Sequence, residues 1–225
     1  WLELPEEERA NRIQPKPYGV KKNPNRYEKT VNLMRAMKAS TVTRYSLKDV
    51  IPNNIVIKSQ KKTGACWAFA ALASLETNIA MLNYKSGLTS KVYDYSERHM
   101  EYATSRKFLN NQENTMGYNR KVGEGGSWFM ADSYLTNGMG AIDESEMPFE
   151  NNENEIPLSS IQNKKVVTQV NDTKDFATTG GEEEKNQIKE QVQNNGAVYM
   201  GIHGASIIGS DCYNNNTGAI YCNDA

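Results

Sequence analysis

"QKKTGACWAFAALASLE", Gln60 to Glu76, puts one cysteine beside a tryptophan where a polar loop gives way to an alanine-rich apolar run. From there, Leu72, Leu75, Ile79 and Leu82 recur at three- and four-residue steps, the spacing of one helix face. Alanines at 68, 70, 71, 73 and 80 let neighbours approach from several sides. The pattern predicts a helix from Cys66 to about Tyr84, central and largely buried, unlike a surface helix with one polar face. Cys66 falls in its first turn. There the unpaired N–H groups and the positive end of the helix dipole favour a thiolate over a thiol. Cys66 therefore has two readings: an activated nucleophile, or a small buried residue. Gly64 and Ala65 are small enough for a substrate backbone to pass, and Trp67 is expected to wall the site. Gln60, on the polar loop, offers a side-chain amide to an oxyanion, a donor worth about 3 kcal/mol of barrier.

The chain of 225 residues is long enough for one to one and a half average domains. With 26 basic and 27 acidic residues its net charge is -1, so electrostatics gives no reason to expect nucleic acid or anionic lipid as a partner. No run of 18 apolar residues is present. The first residues, "WLELPEEERA", are acidic and lack the apolar segment of a signal peptide, so a mature product or a fragment is expected. No Cys/His spacing suggests a metal, and "GEGGSW" lacks the lysine of a phosphate loop; no cofactor is expected. Three cysteines leave one over in an oxidising compartment. Cys212 and Cys222 flank the turn-rich "YNNNTGAIY"; they either pair across it or stand reduced near a strand. Asn171 to Thr173 and Asn215 to Thr217 fit the glycosylation acceptor pattern, which matters only in a eukaryotic secretory pathway.

Three regions are expected along the chain. Residues 1–44 are charged, Pro-containing and poor in aliphatics, and cannot build a core alone. They read as an N-terminal extension or a propeptide, with a short helix over Tyr27 to Ser40. Residues 45–195 are mainly helical. Ser96 is placed to cap a helix in "YSERHMEYA". "SWFMADSYLTNG" predicts another, ending at Gly138, and "EEEKNQIKEQVQNN" a further one with acidic residues at its positive end, stopping at Gly196. "KKVVTQV" and "AVYMGIH" read as strands, the second opening a β-rich region over 196–225. Helices first and strands later make the class α+β.

Gln60, Gly64, Cys66, Trp67, Ala68 and Phe69 resemble the signature of papain-like cysteine peptidases. "RYSLKD" is similar to the start of their mature domain, "YSERHMEYA" to their "LSEQ" helix, and "EGGSWFMADSYLTNGMGAIDESEMPFE" to their double-glycine stretch. "IKEQVQNNGAVYMGIHG" resembles the helix, turn and strand that open their β domain. The resemblance runs in order over residues 44 to 222. It implies a helical domain carrying the cysteine on a central helix, a β domain that is incomplete here, and hydrolysis of peptide bonds through a thioester. It makes Cys66 the nucleophile, Gln60 the oxyanion donor, and Gly64, Trp67, Gly125 and Gly126 the residues that receive an extended substrate. It also implies a zymogen, and a secreted, lysosome-like or cell-surface setting. Thr63 stands near a position where many relatives carry a disulfide cysteine.

The chemistry also needs a histidine to take the thiol proton and return it to the leaving amine. Only two are present, His99 and His203. By the resemblance His99 takes a structural position. His203 comes too early in the β domain for the catalytic one. The catalytic histidine and its asparagine are therefore expected on a segment absent from this chain or on a second chain. Two other readings use the same fold: an inactive papain-like pseudoenzyme that binds a peptide, and a structural subunit. A thiol at a helix start, paired with Gln60, favours the enzyme over both.

Overall fold

The computed structural model describes residues 44–88, 91–108, 110–149, 156–176, 181–201, 213–214 and 216. The N-terminal extension, His203 and the Cys212–Cys222 pair lie outside these residues, as does most of the expected β-rich region.

A short helix α1, Leu47–Val50, opens the described chain. The Cys66–Lys85 helix, α2, follows after a polar loop and is the hub: it packs against the three other long helices of the described residues. These are α3, Glu97–Thr104; α4, Trp128–Thr136; and α5, Glu182–Asn195. Two short parallel strands complete the fold, β1, Ser105–Lys107, and β2, Tyr118–Lys121, with Ser105 opposite Tyr118 and an irregularity before Lys107 meets Lys121. The class is α+β, as the sequence predicts.

The reason α2 sits at the centre is visible in its side chains. Trp67, Ala68, Ala71 and Leu72 enter a core with Tyr95, Met100 and Ala103 from the α3 side and Ala131, Tyr134 and Leu135 from α4. Alanines bring the helix axes close, and Leu72 and Met100 fill the space between them, each contributing about 1.5–3 kcal/mol by burial. On the back of α2, Ala80 and Met81 pack on Ile51. The leucine stripe of the sequence is only partly right. Leu72 is buried, but Leu82 is 53% exposed, because Ala80 and Met81 take the inward slots of that turn.

Helix α3 starts where the capping residue predicts. The Ser96 hydroxyl accepts from the His99 N–H at 3.0 Å and donates to the Met147 carbonyl at 2.6 Å, tying the helix start to a distant loop. Ser96→Ala is expected to lower stability by about 1–2 kcal/mol, read from urea unfolding, since it removes a cap and orphans a buried carbonyl. The helix ends are also as expected: Gly138 and Gly196 follow α4 and α5 at φ +84° and +104°.

Neither predicted strand forms among the described residues. "KKVVTQV" is irregular and bonds to a turn rather than to a ladder: Val167 N–H donates to Ala141 O at 2.9 Å and Ala141 N–H to Thr168 O at 2.7 Å. Residues 197–201 are likewise irregular, without strand pairing. Their partners are side chains of α2. Ser74 donates to Ala197 O at 2.7 Å, Ala197 N–H donates to the Thr77 hydroxyl at 2.8 Å, and Asn78 donates to Asn195 O at 2.8 Å. The segment after α5 is thus strapped along the cysteine-bearing helix.

Candidate active site

Cys66 is the first residue of α2, and its side chain is exposed. The residue before it, Ala65, is the N-cap and has no side chain able to accept. Ala68 and Phe69 donate back to the Ala65 carbonyl at 2.9 and 3.2 Å. The N–H groups of Cys66 and Trp67 find no acceptor among the described residues, which leaves them for a ligand.

The loop before the helix closes on itself. The Gln60 amide donates to Thr63 O at 2.8 Å, and the Thr63 hydroxyl donates to Gln60 O at 2.7 Å. One of the two amide hydrogens of Gln60 is engaged in this way. The loop is anchored by Lys58, two residues earlier. Its ammonium reaches Glu76 of α2 at 2.9 Å, Asp94 at 3.0 Å and Glu97 of α3 at 2.5 Å, and donates to Tyr95 O at 3.1 Å. Glu97 is fully buried, and its charged partner is the Lys58 ammonium. Burial pushes the Glu97 carboxyl up to about 7 in spite of Lys58. Burial opposes the charge of Lys58 as well, but Glu97 and Glu76 together hold it above the usual lysine range.

Gly125 and Gly126 form a strip beside the start of α2, and the packing explains why glycine stands at two of the three positions here. A side chain on Gly64 would lie 2.5 Å from Gly123 O and 3.0 Å from Gly125 N, so the two loops meet backbone to backbone. One on Gly126 would meet the Trp67 ring at 2.4 Å, whereas Gly125 has no heavy atom within 4 Å of that point. Gly126→Ala is expected to cost about 1–3 kcal/mol, and Gly125→Ala about 0.5 kcal/mol or less, compared by thermal melting. Trp67 is 2% exposed and lies under the strip; it supports the glycines from below and does not form an outer wall.

Two contributors were not legible in the sequence. Arg120 of β2 sits 5.0 Å over the Trp67 ring and donates to the carbonyls of Glu124 and Gly125. Strand β2 buries Arg120 alone of its four residues. Tyr199, on the strapped segment, lies near Cys66. Its phenol is held above the ordinary tyrosine range, first by burial and then by its electrostatic interaction with Cys66.

His99 is not brought to the cysteine. It is buried between α4 and the 158–161 turn, with Nδ1 2.6 Å from the Tyr134 hydroxyl and Nε2 3.1 Å from Ile161 O. A carbonyl only accepts, so Nε2 carries the hydrogen and Nδ1 accepts from Tyr134. Burial holds the ring below the usual histidine range. Among the described residues no group of His, Cys, Asp and Glu could hold a metal ion. No helix there is long and apolar enough to cross a membrane.

The sequence model described as "Papain family cysteine protease" matches residues 48–222. Among solved structures, the chain is similar to a variant of the clostridial cysteine protease Cwp84 after propeptide cleavage, at 23% identity and TM-score 0.43, covering 54% of this chain and 27% of that one. It is also similar to the cysteine protease and lectin-like domains of Cwp84, a surface layer associated protein of Clostridium difficile, at 23% identity and TM-score 0.41, covering 58% of this chain and 27% of that one. The match thus spans about a quarter of the length of those proteins. Curated protein sequences give no match.

Proposed function

This chain belongs to the papain family of cysteine proteases, and on that footing we propose that it carries the nucleophile half of a cysteine endopeptidase. The observation that carries the proposal is an exposed cysteine at the uncapped start of a buried helix, beside a strip of glycines. The Cys66 thiolate attacks the carbonyl carbon of a peptide bond. The oxygen takes the negative charge and is met by the Cys66 N–H and an amide hydrogen of Gln60. Collapse expels the amine, which takes a proton from the conjugate acid of the base, and leaves a thioester on Cys66. Water then hydrolyses the thioester, giving the carboxylate and restoring the thiol. Gly125 and Gly126 offer backbone groups to an extended substrate where side chains would obstruct it.

The proton acceptor in this proposal is a histidine oriented by an asparagine, supplied by polypeptide outside these 225 residues or by a second chain. His99 is excluded from the role because both of its nitrogens are committed to packing. Residues 1–44 acting as a propeptide, a Cys212–Cys222 disulfide, and a secreted or cell-surface setting belong to the same reading. The test is to incubate the native protein, together with the polypeptide that carries the histidine, with an unfolded substrate polypeptide and sequence the new N-termini. Cleavage abolished by alkylation of Cys66 supports the proposal; cleavage that survives alkylation, or no cleavage at all, overturns it.

A further inference from the structure

The glycine strip has no covalent tether to the cysteine loop among the described residues, where Cys66 is a free thiol. Gly64 meets Gly123 and Gly125 only through backbone contact. The position of the strip is fixed instead by two charged residues. Arg120 is 7% exposed; its Nη1 donates to Glu124 O and, at 3.1 Å, to Gly125 O, while Nη2 donates at 3.1 Å to Glu101 O at the middle of α3. The guanidinium lies over the Trp67 ring, the same ring that Gly126 rests against. The Glu101 carboxylate accepts from the Gly123 N–H at 3.0 Å. One guanidinium therefore connects all three parts: α3, the tryptophan next to the nucleophile, and the carbonyls of the strip. Its rigid fork suits this, because it can donate along several fixed directions at once.

We propose that Arg120 is a positioning residue: it sets the distance and orientation of the Gly125–Gly126 strip relative to Cys66, and so governs how tightly an extended peptide is held, without touching the substrate. This rests on the peptidase reading. Substituting the fork should loosen the strip while leaving the thiol and the helix start in place. The loss then falls on binding of a peptide, and the intrinsic reactivity of the sulfur is unchanged.

The experiment uses the native protein and two reagents, a peptidyl vinyl sulfone and iodoacetamide, with rates counted per folded molecule. In Arg120→Met the vinyl sulfone should bind about tenfold or more weaker, with its maximal inactivation rate within about threefold of wild type. The iodoacetamide rate should stay within about twofold. Arg120→Lys keeps the charge but loses the fork, and should recover folding with only part of the binding. A purely stabilising arginine would lower the melting temperature and leave vinyl sulfone binding unchanged in the folded fraction; that result overturns the proposal. So does a parallel fall with both reagents, which would place the effect on the thiol. If Arg120→Met does not fold, Arg120→Lys decides the matter through hydrogen exchange at Gly125 and Gly126: faster exchange supports the proposal, unchanged exchange refutes it. A wild-type protein that reacts no faster with the peptide reagent than with iodoacetamide defeats the peptidase reading, and the role of Arg120 with it.

Discussion

Cys66→Ser should lower kcat/KM for peptide hydrolysis by about 10⁴-fold or more while leaving the melting temperature within about one degree. The two halves of this expectation have separate physical grounds. Serine is close in size, and the Cys66 side chain is exposed, so little packing is lost. The hydroxyl, however, is ionised far less readily than a thiol and is the weaker nucleophile. The substrate grip of Gly125 and Gly126 is untouched, so KM should change little and the loss should appear in kcat. A large change in KM would mean that Cys66 binds substrate rather than attacking it.

Lys58→Met is expected to give the largest loss of stability, about 3–5 kcal/mol above neutral pH. The methionine nearly matches the lysine stem, so the cost comes from charge. Glu76, Asp94 and Glu97 all lean on the one ammonium. Asp94 is 41% exposed on its side chain and contributes little; Glu76 and Glu97 are buried and carry most of the effect. The sign with pH follows from Glu97. Its folded carboxyl sits at about 7 against a usual 4.5, so the native state binds its proton more tightly than the unfolded chain. The stability it contributes is complete below about pH 4.5 and is lost as pH rises through about 7, at most about 3 kcal/mol. Glu76 is raised by burial in the same direction. Removing Lys58 moves both carboxyls further up, so the penalty of Lys58→Met should be large at pH 8 and shrink towards pH 5. His99 acts oppositely: burial holds its folded ring below the usual range, so the unfolded chain gains its proton first as pH falls through about 6.5. Glu97→Gln separates the two, since it should flatten the decline between pH 5 and 8 and leave the acid-side loss of His99. Urea unfolding of the three proteins at both pH values checks this. A Lys58→Met penalty equal at pH 5 and 8 would show that packing, not charge, holds the cluster. Because Lys58 also anchors the loop that carries Gln60, the same variant should lose activity at temperatures where it remains folded.

What could be read from the sequence was local. The alanine-rich run gave α2 its place, since small residues on several sides need no knowledge of their partners. Ser96 marked a helix start because a cap acts within three residues. Gly64 stood out as small enough for a backbone to pass beside the cysteine, while Gly125 and Gly126 were reached through the family resemblance. What escaped depends on distant partners. Lys58, Glu76 and Glu97 look like solvated charges until a loop and two helices converge on them. Arg120 is one basic residue among many until Trp67 and the glycine strip close round it. "KKVVTQV" has strand composition, yet a strand needs a neighbour, and the turn at Ala141 takes its hydrogen bonds instead. Leu82 fits the helical stripe and still faces solvent, because among the described residues no element covers that turn.

The most direct measurement is the mass of the native protein after brief exposure to a peptidyl vinyl sulfone, followed by peptide mapping. The account predicts one adduct per chain, on Cys66, formed at least about a hundredfold faster than alkylation by iodoacetamide at equal concentration. Labelling elsewhere, or labelling of Cys66 at the pace of an ordinary exposed thiol, would contradict it.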